Sequence, residues 1–151
     1  MQNVKYWIVI LSFSFVTVLV IAQTIELQIL NVKSEEGQIC VGIFESEEAF
    51  KKEKPSYEKF YPKSQFCSLP YTIKINVKPG TYGVSVLDDI NNDGRVNYNL
   101  IGIPTEGFGF GGYYHKVLKK PNFNAFAFEI GKDEHIKLEV QLRYFEFPLK
   151  K

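Results

Sequence analysis

The chain has 151 residues, 45% of them hydrophobic, with 18 Lys and Arg against 17 Asp and Glu. That is enough apolar mass for one core. The near-neutral balance gives no broad electrostatic reason to bind nucleic acid or an anionic membrane, and the short clusters Lys51-Lys52 with Lys54, Lys119-Lys120 and Lys150-Lys151 read as solvated surface.

Residues 1–22 read as a signal peptide. Lys5 supplies the positive charge, an apolar run extends from Trp7 to Ile21, and Val20-Ile21-Ala22 offers a cleavage site before Gln23. The run is about fifteen residues, short of the roughly 20 that a spanning helix needs. The expectation is an exported protein, periplasmic or secreted, with no membrane span after cleavage and one domain over residues 23–151.

From Gln23 onward, alternation of apolar and polar residues dominates the chain. Ile25, Leu27 and Ile29 alternate with Glu26 and Gln28, and a turn at Ser34-Glu35-Glu36-Gly37 leads to a second strand, Gln38 to Phe44. Ser46 can cap a short helix that begins Glu47-Glu48 and ends near Lys51-Lys52, with the charge order that a helix dipole favours. Ile73, Ile75 and Val77 mark a strand; Lys78-Pro79-Gly80 turns the chain into another, Thr81 to Leu87. Phe126, Phe128 and Ile130 mark the next, and Ile136 to Arg143 alternates without a break, as a half-buried antiparallel strand does. About seven strands, one short helix and a long loop from Asp88 to about Pro121 predict an all-β, single antiparallel β-sandwich. Cys40 and Cys67 would form a disulfide in an oxidising compartment, adding roughly 3 kcal/mol.

The long loop holds the candidate site. Asp89, Asn91, Asp93 and Asn97 place side-chain oxygens at alternate positions around Gly94, and the Arg95 carbonyl adds another. That is the first half of an oxygen-rich calcium loop. Leu100 stands where the last carboxylate should be, so Glu106 is expected to fold back and supply it. With so few carboxylates the affinity expected is on the order of 10⁻⁴ to 10⁻³ M. A plain turn rich in Asn, Asp and Gly is the alternative. Gly107 to Gly112 contains G-x-G-x-x-G without the helix a nucleotide site needs. Its Phe108 and Phe110 either plug the end of the fold or join Tyr113 and Tyr114 as a ligand platform. His115 and His135 read as surface residues. Asp88 and Asp89, neighbours in a strand, should point to opposite faces and form no acid–base dyad.

Three ordered motifs carry a resemblance: Pro79-Gly80-Thr81-Tyr82, Asp89-Ile90-Asn91-Asn92-Asp93-Gly94, and Gly102-Ile103-Pro104-Thr105-Glu106-Gly107-Phe108-Gly109-Phe110. Together they resemble an uncharacterised family of small exported bacterial proteins, a domain of unknown function. Its signature is a P-G-x-Y strand start, a D-x-N-x-[ND]-G loop and G-x-P-x-E-G-[FY]-G-F, and the match runs from about Gln38 to Tyr144. The chain departs from the pattern at Asp88, where histidine is common, and at Gly111-Gly112. The strand start is also similar to transthyretin-like and collagen-adhesin B-type sandwiches, which implies an immunoglobulin-like or transthyretin-like fold. The resemblance implies location and fold and no activity. The expected function is therefore a non-catalytic cell-envelope module, binding or structural, with calcium stiffening its loop. Its partner would be an envelope protein or a polysaccharide. The alternatives are a hydrolase using Glu106 or Asp89 with His115, and a carbohydrate- or peptide-binding accessory domain.

Overall fold

The structure, a computed structural model, describes residues 23–117 and 119–145. The expected signal peptide, residues 1–22, lies outside them, as do Lys150 and Lys151. The chain is mostly β: among the described residues, eight strands form two sheets, with one α-helix. No described helix is long and apolar enough to cross a membrane.

The first sheet has the order β4-β1-β8, built from β1 (Gln23–Leu30), β4 (Tyr71–Val77) and β8 (His135–Gln141). Every second residue of β1 and most of β4 is buried, so the alternation in the sequence does face one side inward. Leu27 lies between Ile73 on one side and Leu138 on the other. The antiparallel expectation fails for β8, which runs parallel to β1. Alternation reports that one face is wet, and an edge strand can have a wet face in either direction.

The second sheet is organised on the longest strand, β5 (Gly80–Asp89). One edge of β5 pairs with β2 (Gln38–Phe44), which in turn pairs with β3 (Tyr57–Pro62). The other edge is shared by two short strands: β6 (Gly107–Phe110) along Ser85 to Asp88 and β7 (Ala127–Ile130) along Gly80 to Gly83. Neither β3 nor β6 was expected. β3 is an edge strand with mostly exposed residues and no alternation, and β6 is half glycine. Phe108 and Arg143 exchange backbone hydrogen bonds, at 3.1 and 2.8 Å, and so join the two sheets along one seam. At Gly109 a Cβ would stand 2.7 Å from the Gln141 carbonyl oxygen, so this approach needs glycine.

The main core unites residues of both sheets, among them Ile25, Leu27 and Ile29 with Ile39, Val41, Val84 and Val86, a sandwich-like packing. A second cluster is all phenylalanine: Phe44, Phe50, Phe110, Phe123 and Phe126. Helix α1 (Glu47–Lys51) delivers Phe50 to it. Ser46 caps this helix by accepting the Ala49 N–H at 3.2 Å, as its sequence position leads one to expect.

The expected disulfide is not formed: Cys40 and Cys67 are both free. Cys40 is buried on β2, and Cys67 is exposed in the connection before β4. Burial and then the Asp89 carboxylate push the Cys40 thiol up, so it stays protonated and unreactive. A thiol reagent should label Cys67 alone in the native protein and both cysteines in denaturant. Two fast-reacting native thiols, or none after denaturation, would contradict this arrangement.

Candidate metal centre

Strand β5 ends at Asp89, which is wholly buried, and the loop after it is organised on that carboxylate. Asp89 Oδ1 accepts the Asp93 N–H at 3.1 Å, and Oδ2 accepts the Gly94 N–H at 2.8 Å. These two bonds curl residues 89–94 into a tight loop with Asn92 and Gly94 in the left-handed region, φ 62° and 73°. Two side chains of β2 hold the same carboxylate from the sheet: Gln38 donates to Oδ2 at 2.7 Å, and the Cys40 thiol stands 3.5 Å from it. Spacing marks Asp89 in the sequence. Nothing there marks Gln38 and Cys40, which β2 brings to it by cross-strand register.

Glu106 closes the site from the far end of the long segment. It is buried, its Oε1 accepts the Ile90 N–H at 3.1 Å, and its Oε2 accepts the Asn97 backbone and side-chain N–H groups at 3.3 Å each. Between Asn97 and Glu106 the chain forms a small hairpin, with Tyr98 bridged to Pro104 and the Asn99 side chain accepting the Ile101 and Ile103 N–H groups. This hairpin leaves Leu100 and Ile101 exposed, so Leu100 takes no part in the site.

Asp93 completes the group. It accepts the Arg95 N–H at 2.9 Å through Oδ1, and the amides of Asn91 and Asn97 at 3.1 and 2.9 Å through Oδ2. The Asn97 bond, then the Arg95 N–H, holds its carboxyl below the usual carboxylate range. Asp89, Asp93 and Glu106 each offer an oxygen within 4.8 Å of the others. Each of the three carboxylates has one oxygen that accepts a single hydrogen bond: Oδ1 of Asp89, Oδ1 of Asp93 and Oε1 of Glu106. A carboxylate oxygen has two lone pairs, so all three retain capacity for a cation. The donor set is hard oxygen throughout, which fits calcium.

The turn before β2 packs against the base of this loop. Gly37 has φ 83°, and a Cβ there would stand 2.2 Å from the Asp89 carbonyl oxygen and 2.6 Å from the Ile90 Cα. Both obstacles are backbone, so Gly37→Ala should displace the start of the loop and cost about 3 kcal/mol in urea unfolding. A change below about 0.5 kcal/mol, the range of a neutral surface site, would refute the close approach.

Residues 27–137 match a bacterial family described as "Uncharacterized protein conserved in bacteria", DUF2141. The chain belongs to this family. No curated protein and no solved structure matches it. Within this family member the matched span runs from β1 into β8 and takes in the whole Asp89–Glu106 site.

The remaining candidate residues of this DUF2141 protein separate into different environments. Phe110 is buried in the phenylalanine cluster and Phe108 packs against it. Tyr114 is exposed at 51% and Tyr113 half-buried. His115 corrects a surface expectation: it is 4% exposed, ringed by Phe108, Phe110 and Tyr113, and neither imidazole nitrogen has a hydrogen-bond partner among the described residues. Hence, among the described residues, no carboxylate hydrogen-bonds to His115, and neither Glu106 nor Asp89 pairs with it. His135 lies exposed beside Glu26, 3.6 Å away. Asp88 and Asp89 do serve opposite faces, because Asp88 meets Lys63 and Tyr144 while Asp89 meets the loop.

Proposed function

We propose that this protein is an exported, non-catalytic module of the cell envelope whose Asp89–Glu106 end is organised by a calcium ion. The convergence of Asp89, Asp93 and Glu106 carries the reading. Three carboxylates drawn together repel one another, and a divalent cation removes that cost. Asn91, Asn97 and the Arg95 carbonyl stand as the further oxygen donors, within the six to eight that calcium takes. Asn97 adds support. Its amide nitrogen now bridges Asp93 Oδ2 and Glu106 Oε2, at 2.9 and 3.3 Å. A half-turn of that amide presents its oxygen to the same place, so the side chain serves with or without the ion.

The ion's role would be structural, fixing the loop that joins β5 to β6. The export and envelope role rests on the signal-peptide reading of residues 1–22, with an envelope protein or polysaccharide as partner. A single domain over residues 23–151 is part of the same reading. The Pro79-Gly80-Thr81-Tyr82 start of β5 supports a transthyretin-like or immunoglobulin-like class for the fold. Calorimetric titration tests the central claim. A saturable heat with a dissociation constant on the order of 10⁻⁴ to 10⁻³ M is expected. No heat at millimolar calcium overturns it.

A further inference from the structure

A second cluster of reactive groups lies one residue before the metal loop, on the other face of β5. Lys63 sits in a 3-10 turn, Lys63–Gln65, directly after β3. Its side chain and that of Asp88 are both 0% exposed, and the Lys63 Nζ touches Asp88 Oδ1. A buried ion pair is ordinarily held by aligned hydrogen bonds, because two unsolvated charges need them. Here Nζ donates to the Ser34 carbonyl at 2.9 Å, while Asp88 Oδ1 accepts no aligned hydrogen bond from the described residues. The other oxygen, Oδ2, accepts the Tyr144 hydroxyl. Tyr144 is itself fixed by the Lys33 N–H at 3.1 Å. Glycine at 107 makes room for its ring, since a Cβ there would fall 2.4 Å from it. The amine is thus set directly against the carboxyl group, in a site closed to water.

We propose that Lys63 and Asp88 become joined by an intramolecular amide bond, formed by the folded chain itself. The step balances within the pair. A proton passes from the Lys63 ammonium to the Asp88 carboxylate, giving an amine beside a carboxylic acid. The nitrogen lone pair attacks Cγ and the N–C bond forms. The Cγ–OH bond then breaks, and the hydroxyl leaves with a second nitrogen proton as one water. No oxidant, reductant or co-reactant is consumed. The Tyr144 hydroxyl donates to the oxygen on which negative charge builds, as a fixed donor in a dry site should. Burial and then the Asp88 carboxylate push the Tyr144 phenol up, so it keeps its proton for this task. Condensation also removes two charges from the interior, where keeping them is costly. The product would tie the turn after β3 to β5 beside Asp89.

Mass spectrometry of the purified protein decides the matter. The expected result is a chain lighter than its sequence by one water, with Lys63 and Asp88 in one branched tryptic peptide. Lys63→Met should restore the full sequence mass, and this readout does not require the variant to fold. Lys63 and Asp88 found in separate, unmodified peptides would overturn the proposal. So would a water loss that persists in Lys63→Met, as a succinimide at Asp93-Gly94 would give.

Discussion

Calcium at ten times its dissociation constant should raise the melting temperature of the protein by roughly 5 °C, and Glu106→Gln should abolish the shift. A ligand that binds only the folded state at that concentration stabilises it by about 1.4 kcal/mol, which for a chain of this length corresponds to a few degrees for each kcal/mol. Glu106→Gln keeps the shape of the side chain and removes one of the three carboxylates that converge within 4.8 Å. Asp89→Ala is the harsher change. It strands the Gly94 N–H and the Gln38 amide and leaves the Asp93 N–H with the Asn91 side-chain oxygen alone, so the protein should lose about 3 kcal/mol even in chelator. Scanning calorimetry of the three proteins, with chelator and with calcium, measures both effects. An identical melting temperature for the parent chain in the two buffers would sink the metal reading. A loss confined to Asp89→Ala would leave the loop as a hydrogen-bonded turn.

Phe110→Ala should cost about 3–5 kcal/mol in urea unfolding, while Tyr114→Ala should stay within about 0.5 kcal/mol. Phe110 is 5% exposed and meets Phe126 at 4.7 Å, His115 at 5.8 Å and Phe50 at 6.0 Å between ring centroids. These contacts come from β6, α1, the segment before β7 and the stretch just after β6. Truncation therefore leaves a cavity that no single element can close. Tyr114 is half exposed and belongs to neither apolar cluster. The opposite ranking would mean that Phe110 faces outward and that the aromatic segment serves a ligand.

Much of the fold was legible because it depends on local rules. Ile25, Leu27 and Ile29 announce a strand with one dry face, Ser46 announces a helix start, and Asp89, Asn91 and Asp93 announce a tight oxygen-lined turn. The return of Glu106 to that turn was legible as well, since a loop read as carrying five oxygen donors lacked a final carboxylate. Strand direction was not. The alternation of Ile136, Leu138 and Val140 is the same whether β8 runs with β1 or against it, and only the path of the whole chain makes the pair parallel.

Burial of polar groups was illegible for a related reason. Lys63, Asp88 and His115 carry no local mark of the interior, because their burial is decided by what three distant segments place around them. The cysteines show the same limit: their number and compartment suggested a bridge, but β2 buries Cys40 against Asp89 and leaves Cys67 outside. By itself, then, the sequence determined the strands of the main core, the short helix and the Asp89 loop, since each derives from periodicity or from the spacing of turn residues. Tertiary structure alone decided the parallel edge, the phenylalanine plug, the free thiols and the pairing of Lys63 with Asp88. Those depend on which surfaces meet across the sheets, and contacts between residues far apart in the chain leave no period in the sequence.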